Sequence, residues 1–205
     1  MIDLYTWSTP NGRKVSIMLE ECALPYRVHK INIGSNAEQF TPEYLKINPN
    51  GKIPSIVDPD GPGGKPIAMM ESGAILIYLA DKTKRFMNEK NKYRVLQWLM
   101  FQMGGVGPMF GQAHHFMRAK KDEIPYGSER YGNEAKRLYG VMDKHLFSHT
   151  HFADEYSIAD MAIYPWVARH EWHRVELAAF PNVKRWYEQV GARPAVVKGM
   201  AVPQV

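Results

Sequence analysis

The sequence predicts an α/β domain followed by an all-α domain. Three observations carry this. Strand and helix periodicities alternate from Ile2 to about Lys82, and strand signals stop there. The charge breaks at the same place: residues 1–82 hold 8 Lys+Arg and 9 Asp+Glu, a net of −1, whereas residues 83–205 hold 18 and 12, a net of +6. The chain has 205 residues, 45% of them hydrophobic and 23% charged, with one cysteine. That is enough length for two packed cores and excludes a disulfide-stapled secreted domain. The expected division is an α/β domain over 1–82, a linker over 83–92 and a helical domain over 93–205.

The first domain reads element by element. Ile2–Thr6 is a short strand. Asn11 to Ala23 is a helix with Val15, Met18, Leu19 and Cys22 at i, i+3, i+4, i+7, which places Cys22 on the apolar face as a small core residue. Tyr26 to Ile31 alternates apolar and polar residues, as a strand does. A short helix near Pro42–Ile47 follows, then a strand over Ile53–Val57. A Gly/Pro-rich turn over 58–66 leads into a strand at Ile67–Met69. Ser72 opens a helix with Ala74, Ile75, Tyr78 and Leu79 on one face. The order is β-α-β-α-β-β-α. Its first two strands should be parallel through a right-handed crossover and its last two an antiparallel hairpin, giving a small mixed sheet covered on both faces.

The second domain reads as helices. Tyr93 to His115 carries Leu96, Leu99, Met100 and Met103 at helical spacing, with Gly104-Gly105 and Gly107-Pro108 expected to bend or interrupt it. Ser128 to Leu146 is a further helix. Ser157-Ile158-Ala159-Asp160 is a capping box before the apolar run Met161–Val167, and Pro181 opens a helix through Val190.

Several functions are disfavoured at once. No apolar run approaches the roughly 18 residues of a membrane span. The N-terminus lacks a basic region and a cleavage site, so a reducing, cytoplasmic setting is expected. The net charge of +5 is mild. In the second domain, Lys120-Lys121 is followed by Asp122-Glu123, which cancels a patch that nucleic acid would need. The remaining positive charge fits a solvated helical surface or a funnel for small anions. His170 and His173 lie at i, i+3 rather than the i, i+4 of a metalloprotease helix and have no carboxylate or cysteine partner in the pattern, so no metal is expected.

Three short segments carry chemistry. The first strand-to-helix turn reads Ser8-Thr9-Pro10-Asn11-Gly12-Arg13-Lys14. The same β-α-β-α-β-β-α order occurs in thioredoxin-like domains, which place two cysteines at this turn so that the helix N-terminus stabilises a thiolate. Here the turn holds hydroxyls and an amide instead, so any thiol acting at this point comes from outside the chain. Ser8, Thr9 and Asn11 could equally serve as helix caps. Ile53-Pro54 starts a strand where proline cannot donate to a ladder. An edge position explains it, and so does a cis bond that presents the backbone of Ile53 to an extended peptide. Glu71-Ser72 begins a helix: Ser72 is placed to cap it or, with the free N–H groups, to bind a carboxylate, and Glu71 is placed to take an ammonium.

On these residues the chain resembles the glutathione transferases over nearly its whole length. Asn48-Pro49-Asn50-Gly51-Lys52-Ile53-Pro54 is similar to the family's cis-proline loop, and Glu71-Ser72-Gly73-Ala74-Ile75-Leu76-Ile77-Tyr78-Leu79 to its γ-glutamyl-binding segment. Thr9-Pro10-Asn11-Gly12, Glu38-Gln39-Phe40, Gly104–Met109, His114-His115-Phe116 and Glu129-Arg130-Tyr131 resemble the bacterial nu class, whose members are glutathione-dependent disulfide-bond oxidoreductases. The resemblance implies a thioredoxin-like domain plus a helical domain, the glutathione transferase fold. It implies Thr9 and Asn11 beside the glutathione sulfur, with Ser8 a departure that adds a second hydroxyl. It implies Gln39 and Lys52 at the glycyl end, Ile53 and Pro54 at the cysteinyl backbone, Glu71 and Ser72 at the γ-glutamyl group, and Arg130 reaching glutathione from the helical domain. One or two glutathiones, or their disulfide, per subunit are implied, with a homodimer and a small-molecule disulfide or electrophile as partners. Met117 to Tyr126 departs from the pattern.

The function expected is disulfide reduction by bound glutathione: its thiolate attacks the disulfide, a second glutathione resolves the product, and Cys22 takes no part. Conventional conjugation or peroxide reduction by the same thiolate, and a non-catalytic glutathione-binding protein, are the alternatives.

Overall fold

The computed structural model describes residues 1–119 and 124–204. The charge run from Lys120 to Glu123 lies outside the described residues. Two compact units are present: Met1–Arg85 together with Arg193–Val205, and Phe86–Ala192. This division differs from the expected one at the C-terminus, because the last segment folds with the α/β unit.

The first unit contains β1 (Ile2–Thr6), α1 (Pro10–Glu21), β2 (Tyr26–Lys30), α2 (Pro42–Leu45), β3 (Ser55–Asp58), β4 (Ile67–Met70) and α3 (Ser72–Thr83), with α9 (Pro194–Met200) added from the chain end. The sheet order is β2-β1-β3-β4. β1 and β2 are parallel, with Ile2 opposite Tyr26, while β3 is antiparallel to both β1 and β4. β1 shows why: Ile2, Leu4 and Thr6 are buried on one face. On the other, Tyr5 stacks on His29 with centroids 4.5 Å apart and approaches Tyr44 of α2 at 6.0 Å. Burying a side chain such as Leu4 or Ile56 is worth about 1.5–3 kcal/mol.

α1 is buried far beyond the predicted stripe. Lys14, Ile17 and Glu21 are buried along with Val15, Met18 and Leu19, while Cys22 is only half-buried at the C-cap. The reason is α9, which covers the side of α1 that a two-layer domain would leave in water. The Gly199 backbone lies so close to Ile17 that a Cβ there would fall 2.5 Å from Ile17 Cα. Ser16 Oγ donates to the Gly199 carbonyl at 2.7 Å, and Arg193 reaches buried Glu21 in a bidentate pair at 2.6 and 2.9 Å.

The second unit contains α4 (Lys92–Phe101), α5 (Gly107–His114), α6 (Pro125–Leu146), α7 (Ile158–Val167) and α8 (Pro181–Gly191). The glycines expected to interrupt the first of these helices widen it instead: Gln102–Val106 is a π-helical stretch that continues into α5. The capping box at Ser157 and Asp160 is present, and the fully buried Asp160 also accepts from Trp186 Nε1 at 2.8 Å. His173 is a packing histidine. It lies buried 4.5 Å from the Phe110 ring and 3.4 Å from Tyr139 Oη, and burial lowers its pKa to about 3. Among the described residues no cluster of three or more His, Cys, Asp or Glu side chains could hold a metal, and no helix is long and apolar enough to cross a membrane.

Candidate glutathione site

The register of the sheet gathers the three chemical segments. Tyr5 at the end of β1 pairs with Ser55 at the start of β3, and Ser55 pairs with Met70 at the end of β4. The turn after β1, the Ile53-Pro54 bond before β3 and Glu71-Ser72 after β4 therefore all leave the same end of the sheet. That is the carboxyl end of the parallel strands, where open α/β sheets bind ligands.

The turn after β1 is tight. Thr9, in extended conformation, is the N-cap of α1, and its Oγ1 accepts from Gly12 N–H at 3.2 Å. Pro10 occupies the first helical position. A Cβ on Gly12 would meet Thr6 Oγ1 at 2.3 Å and the Trp7 carbonyl at 2.6 Å, so glycine is required there. An oxygen that accepts the capping bond still carries its own hydrogen. Capping and thiolate stabilisation, which the spacing left as alternatives, are thus compatible in one hydroxyl. Asn11, half-buried, follows at the second helical position. Ser8 is engaged differently: its Oγ accepts from Arg13 Nη2 at 3.1 Å.

The loop before β3 is held from inside. Tyr44 Oη and Asn48 Nδ2 both donate to the Lys52 carbonyl at 2.6 Å, and Asn48 Nδ2 also donates to Ser55 Oγ at 3.0 Å. Gly51 has φ +61°, and a Cβ there would lie 2.8 Å from the Phe40 ring, so the glycine seats the loop on the Glu38–Phe40 turn beside Gln39. The Ile53-Pro54 bond is cis, with Pro54 buried and Lys52 exposed. Gln39 Oε1 and Arg13 Nε are both shielded from solvent without a hydrogen-bond partner among the described residues.

The start of α3 differs from the expected arrangement. Glu71, not Ser72, is the N-cap, with φ +67° and ψ 108°, and its carbonyl accepts from Ile75 N–H at 2.9 Å. Ser72 is the first helical residue and is 4% exposed. A glutamate with positive φ costs of order 1–3 kcal/mol, and such strain is found where function requires the side chain in that place. No side chain caps this helix, so its first turn offers backbone N–H groups to an anion, beside the exposed carboxylate of Glu71.

Arg130 belongs to the second unit. It is exposed on α6 and lines a groove with Met109, Tyr131, Asn133, Glu134 and Arg137.

One residue at the site was missed by sequence reasoning. Lys14 is 0% exposed, and its Nζ donates to Ser72 Oγ at 3.3 Å, tying α1 to the start of α3. Burial lowers its pKa to about 7, against the opposing pull of Glu71. Its signal was present: Lys14 stands at i with Met18 at i+4 on a helix otherwise buried on that side. Cys22 is the reverse case. It closes the far end of α1 as its C-cap, about 20 Å along the axis from Thr9 at 1.5 Å per residue. Its Sγ lies 3.5 Å from Thr83 Oγ1, and burial pushes its thiol pKa up.

A thioredoxin-like sheet with a turn that carries no cysteine, a cis-proline loop and an acidic N-cap on α3 defines a thioredoxin-like domain without a thiol of its own at that turn. The comparisons agree. The glutathione S-transferase N-terminal domain family matches residues 9–82, and the glutathione S-transferase C-terminal domain family matches residues 108–194. The disulfide-bond oxidoreductase YfcG of Escherichia coli is 47% identical, covering 100% of this chain and 97% of the relative. The disulfide-bond oxidoreductase YghU of the same organism is 38% identical over 98% of this chain and 74% of the relative. A Pseudomonas putida glutathione transferase crystallised with one glutathione disulfide per subunit superposes with a TM-score of 0.94 at 47% identity, covering 98% of this chain and 91% of that one. A Burkholderia graminis glutathione transferase with two glutathione molecules per subunit superposes at 0.92 and 46%, covering 99% and 88%. The chain belongs to the glutathione transferase family.

Proposed function

We propose that this protein is a glutathione-dependent disulfide-bond oxidoreductase. The observation that carries the reading is the cysteine-free turn at Ser8–Asn11, with the single Cys22 at the opposite end of α1 and its thiol pKa raised. A relative 47% identical over the full chain bears that activity in its name, and similar structures hold glutathione or its disulfide. Glutathione supplies both electrons: two molecules give up their thiol protons and join as the disulfide, while the substrate disulfide takes two electrons and two protons and leaves as two thiols.

The chain's own residues bind, orient and polarise. Glu71 and the first turn of α3 hold the γ-glutamyl ammonium and carboxylate, with Ser72 as a further donor to the carboxylate. The backbone of Ile53, set by Pro54 and by the clamped Lys52 carbonyl, pairs with the cysteinyl residue. Gln39 and Lys52 serve the glycyl end. Thr9 and Asn11, with the positive end of α1, stabilise a thiolate that is scarce in a free thiol of pKa about 8.5. Ser8, turned to Arg13, supports the turn. Arg130 is assigned to glutathione by family resemblance. A homodimer in the reducing cytoplasm belongs to the same reading.

Parallel rates separate this reading from ordinary conjugation. With glutathione present, reduction of hydroxyethyl disulfide is expected to exceed conjugation of chlorodinitrobenzene clearly. Dominant conjugation would make the protein a conventional transferase, and binding without turnover of either would make it a glutathione-binding module.

A further inference from the structure

Lys14 stands behind the ligand groups of α3 rather than among them. It is fully buried on α1, and its Nζ lies 3.3 Å from Ser72 Oγ. An ammonium has three hydrogens to give and no lone pair to offer, whereas a neutral amine can accept as well as donate. When Lys14 is charged, Ser72 Oγ can only accept from it, and the Ser72 hydrogen must turn away from Lys14. When Lys14 is neutral, its amine competes for that hydrogen.

We propose that Lys14 is a positioning residue for glutathione: its ammonium directs the Ser72 hydroxyl as a donor to the γ-glutamyl carboxylate and places a buried positive charge behind that carboxylate. The proposal rests on the site reading above and adds to it a residue that does not touch the ligand. Its consequence is that glutathione binding and protonation of Lys14 favour each other.

The surroundings set the pH range. Glu71, at the start of α3, is a charge that acts on Lys14 and favours its ammonium. Arg13 on α1 turns to Ser8, Glu21 is paired with Arg193, and Lys82 on α3 is paired with Asp58 and Asp60. Asp3 on β1 is paired with His29, and Asp81 on α3 and Lys198 on α9 are exposed. With its pKa lowered to about 7, Lys14 in the free protein is about half neutral at pH 7. A ligand that favours the ammonium must then bring a proton with it, and binding is strongest below pH 7 and weakens as pH rises through and beyond 7.

The test is isothermal titration calorimetry with S-methylglutathione, which lacks a thiol and so releases no thiol proton. Titrations in buffers of different ionisation enthalpy give the protons taken up. The wild-type protein is expected to take up about half a proton per ligand at pH 7 and to bind about tenfold more weakly at pH 8 than at pH 6. Lys14→Met, close in size, is expected to bind more weakly at pH 6 and to lose that uptake and that pH dependence. A proton taken by the ligand's own amine persists in Lys14→Met and is subtracted. Tight binding by the wild type with no proton uptake at any pH from about 6 to about 9 overturns the role of Lys14 while leaving the site reading intact, and needs no variant to fold. Uptake that is unchanged in Lys14→Met overturns it equally. Absence of S-methylglutathione binding to the wild type overturns the site reading and the proposal together.

Discussion

Thr9→Val lowers kcat/KM for glutathione-dependent disulfide reduction by about 10²–10³, the cost of removing one preorganised donor to a developing anion. Valine keeps the shape of threonine and removes the hydrogen. The loss is expected in kcat, with little change in the KM for glutathione, because the contact strengthens only as the thiolate forms. The pH–rate profile should shift upward, since a less stabilised thiolate requires more alkaline solution. Thr9 also caps α1 through Gly12 N–H, so the variant loses about 0.5–2 kcal/mol of stability as well. Thr9→Ser, which retains both the cap and the hydrogen, separates the two effects by restoring most of the rate. Should Thr9→Val lose stability but keep its rate, the hydroxyl is a cap alone and the activating group is Asn11 or Ser8.

Glu71→Gln gives the second large effect, of the opposite kinetic kind. A charge-assisted hydrogen bond to an ammonium is worth about 1.5–3 kcal/mol, so the KM for glutathione should rise about 10- to 150-fold. Because the γ-glutamyl group is remote from the sulfur and does not change during reaction, kcat at saturating glutathione should hold. Steady-state kinetics with glutathione as the varied substrate measure both constants. A fall in kcat with unchanged KM would place Glu71 at the chemistry rather than at the ammonium. Glutamine retains the length of the side chain, so Glu71 in its positive-φ position is replaced without a change of shape.

The α/β order of the first unit was legible because its strands are short, alternate cleanly and are separated by glycine- and proline-rich turns. β1 shows this with alternating burial from Ile2 to Thr6. The α7 capping box was legible because Ser157 and Asp160 satisfy each other's backbone within four residues. What was not legible depended on chain segments far apart. Nothing local to residues 193–204 says that they cover α1. The Gly199 approach to Ile17 and the Arg193–Glu21 pair span more than 170 positions. Gly104-Gly105 and Gly107-Pro108, expected to bend or interrupt the helix, do not interrupt it, because a π-helical stretch keeps the backbone hydrogen-bonded through them.

At the site, the segments were legible and their fine geometry was not. Ser72 was expected at the N-cap because serine is a strong capping residue. Glu71 takes that place with a backbone conformation that glutamate rarely adopts, so propensity pointed to the wrong residue. Lys14 was passed over because a lysine in a helix normally faces water, and its burial follows from the packing of α1 against α3 and α9. The cysteine-free turn was the strongest signal of all, since it leaves this fold without a redox pair where thioredoxin-like domains carry one; in the proposed function a peptide thiol supplies the electrons.

That claim is tested most directly by the Cys22→Ala variant, assayed for hydroxyethyl disulfide reduction with glutathione while both products are quantified. The account predicts a rate within about twofold of the wild type and two glutathiones oxidised for each disulfide reduced, because a small residue at this half-buried position leaves the distant turn untouched. A variant that folds and binds glutathione but no longer reduces the disulfide would contradict it, and would place the redox thiol in the chain itself.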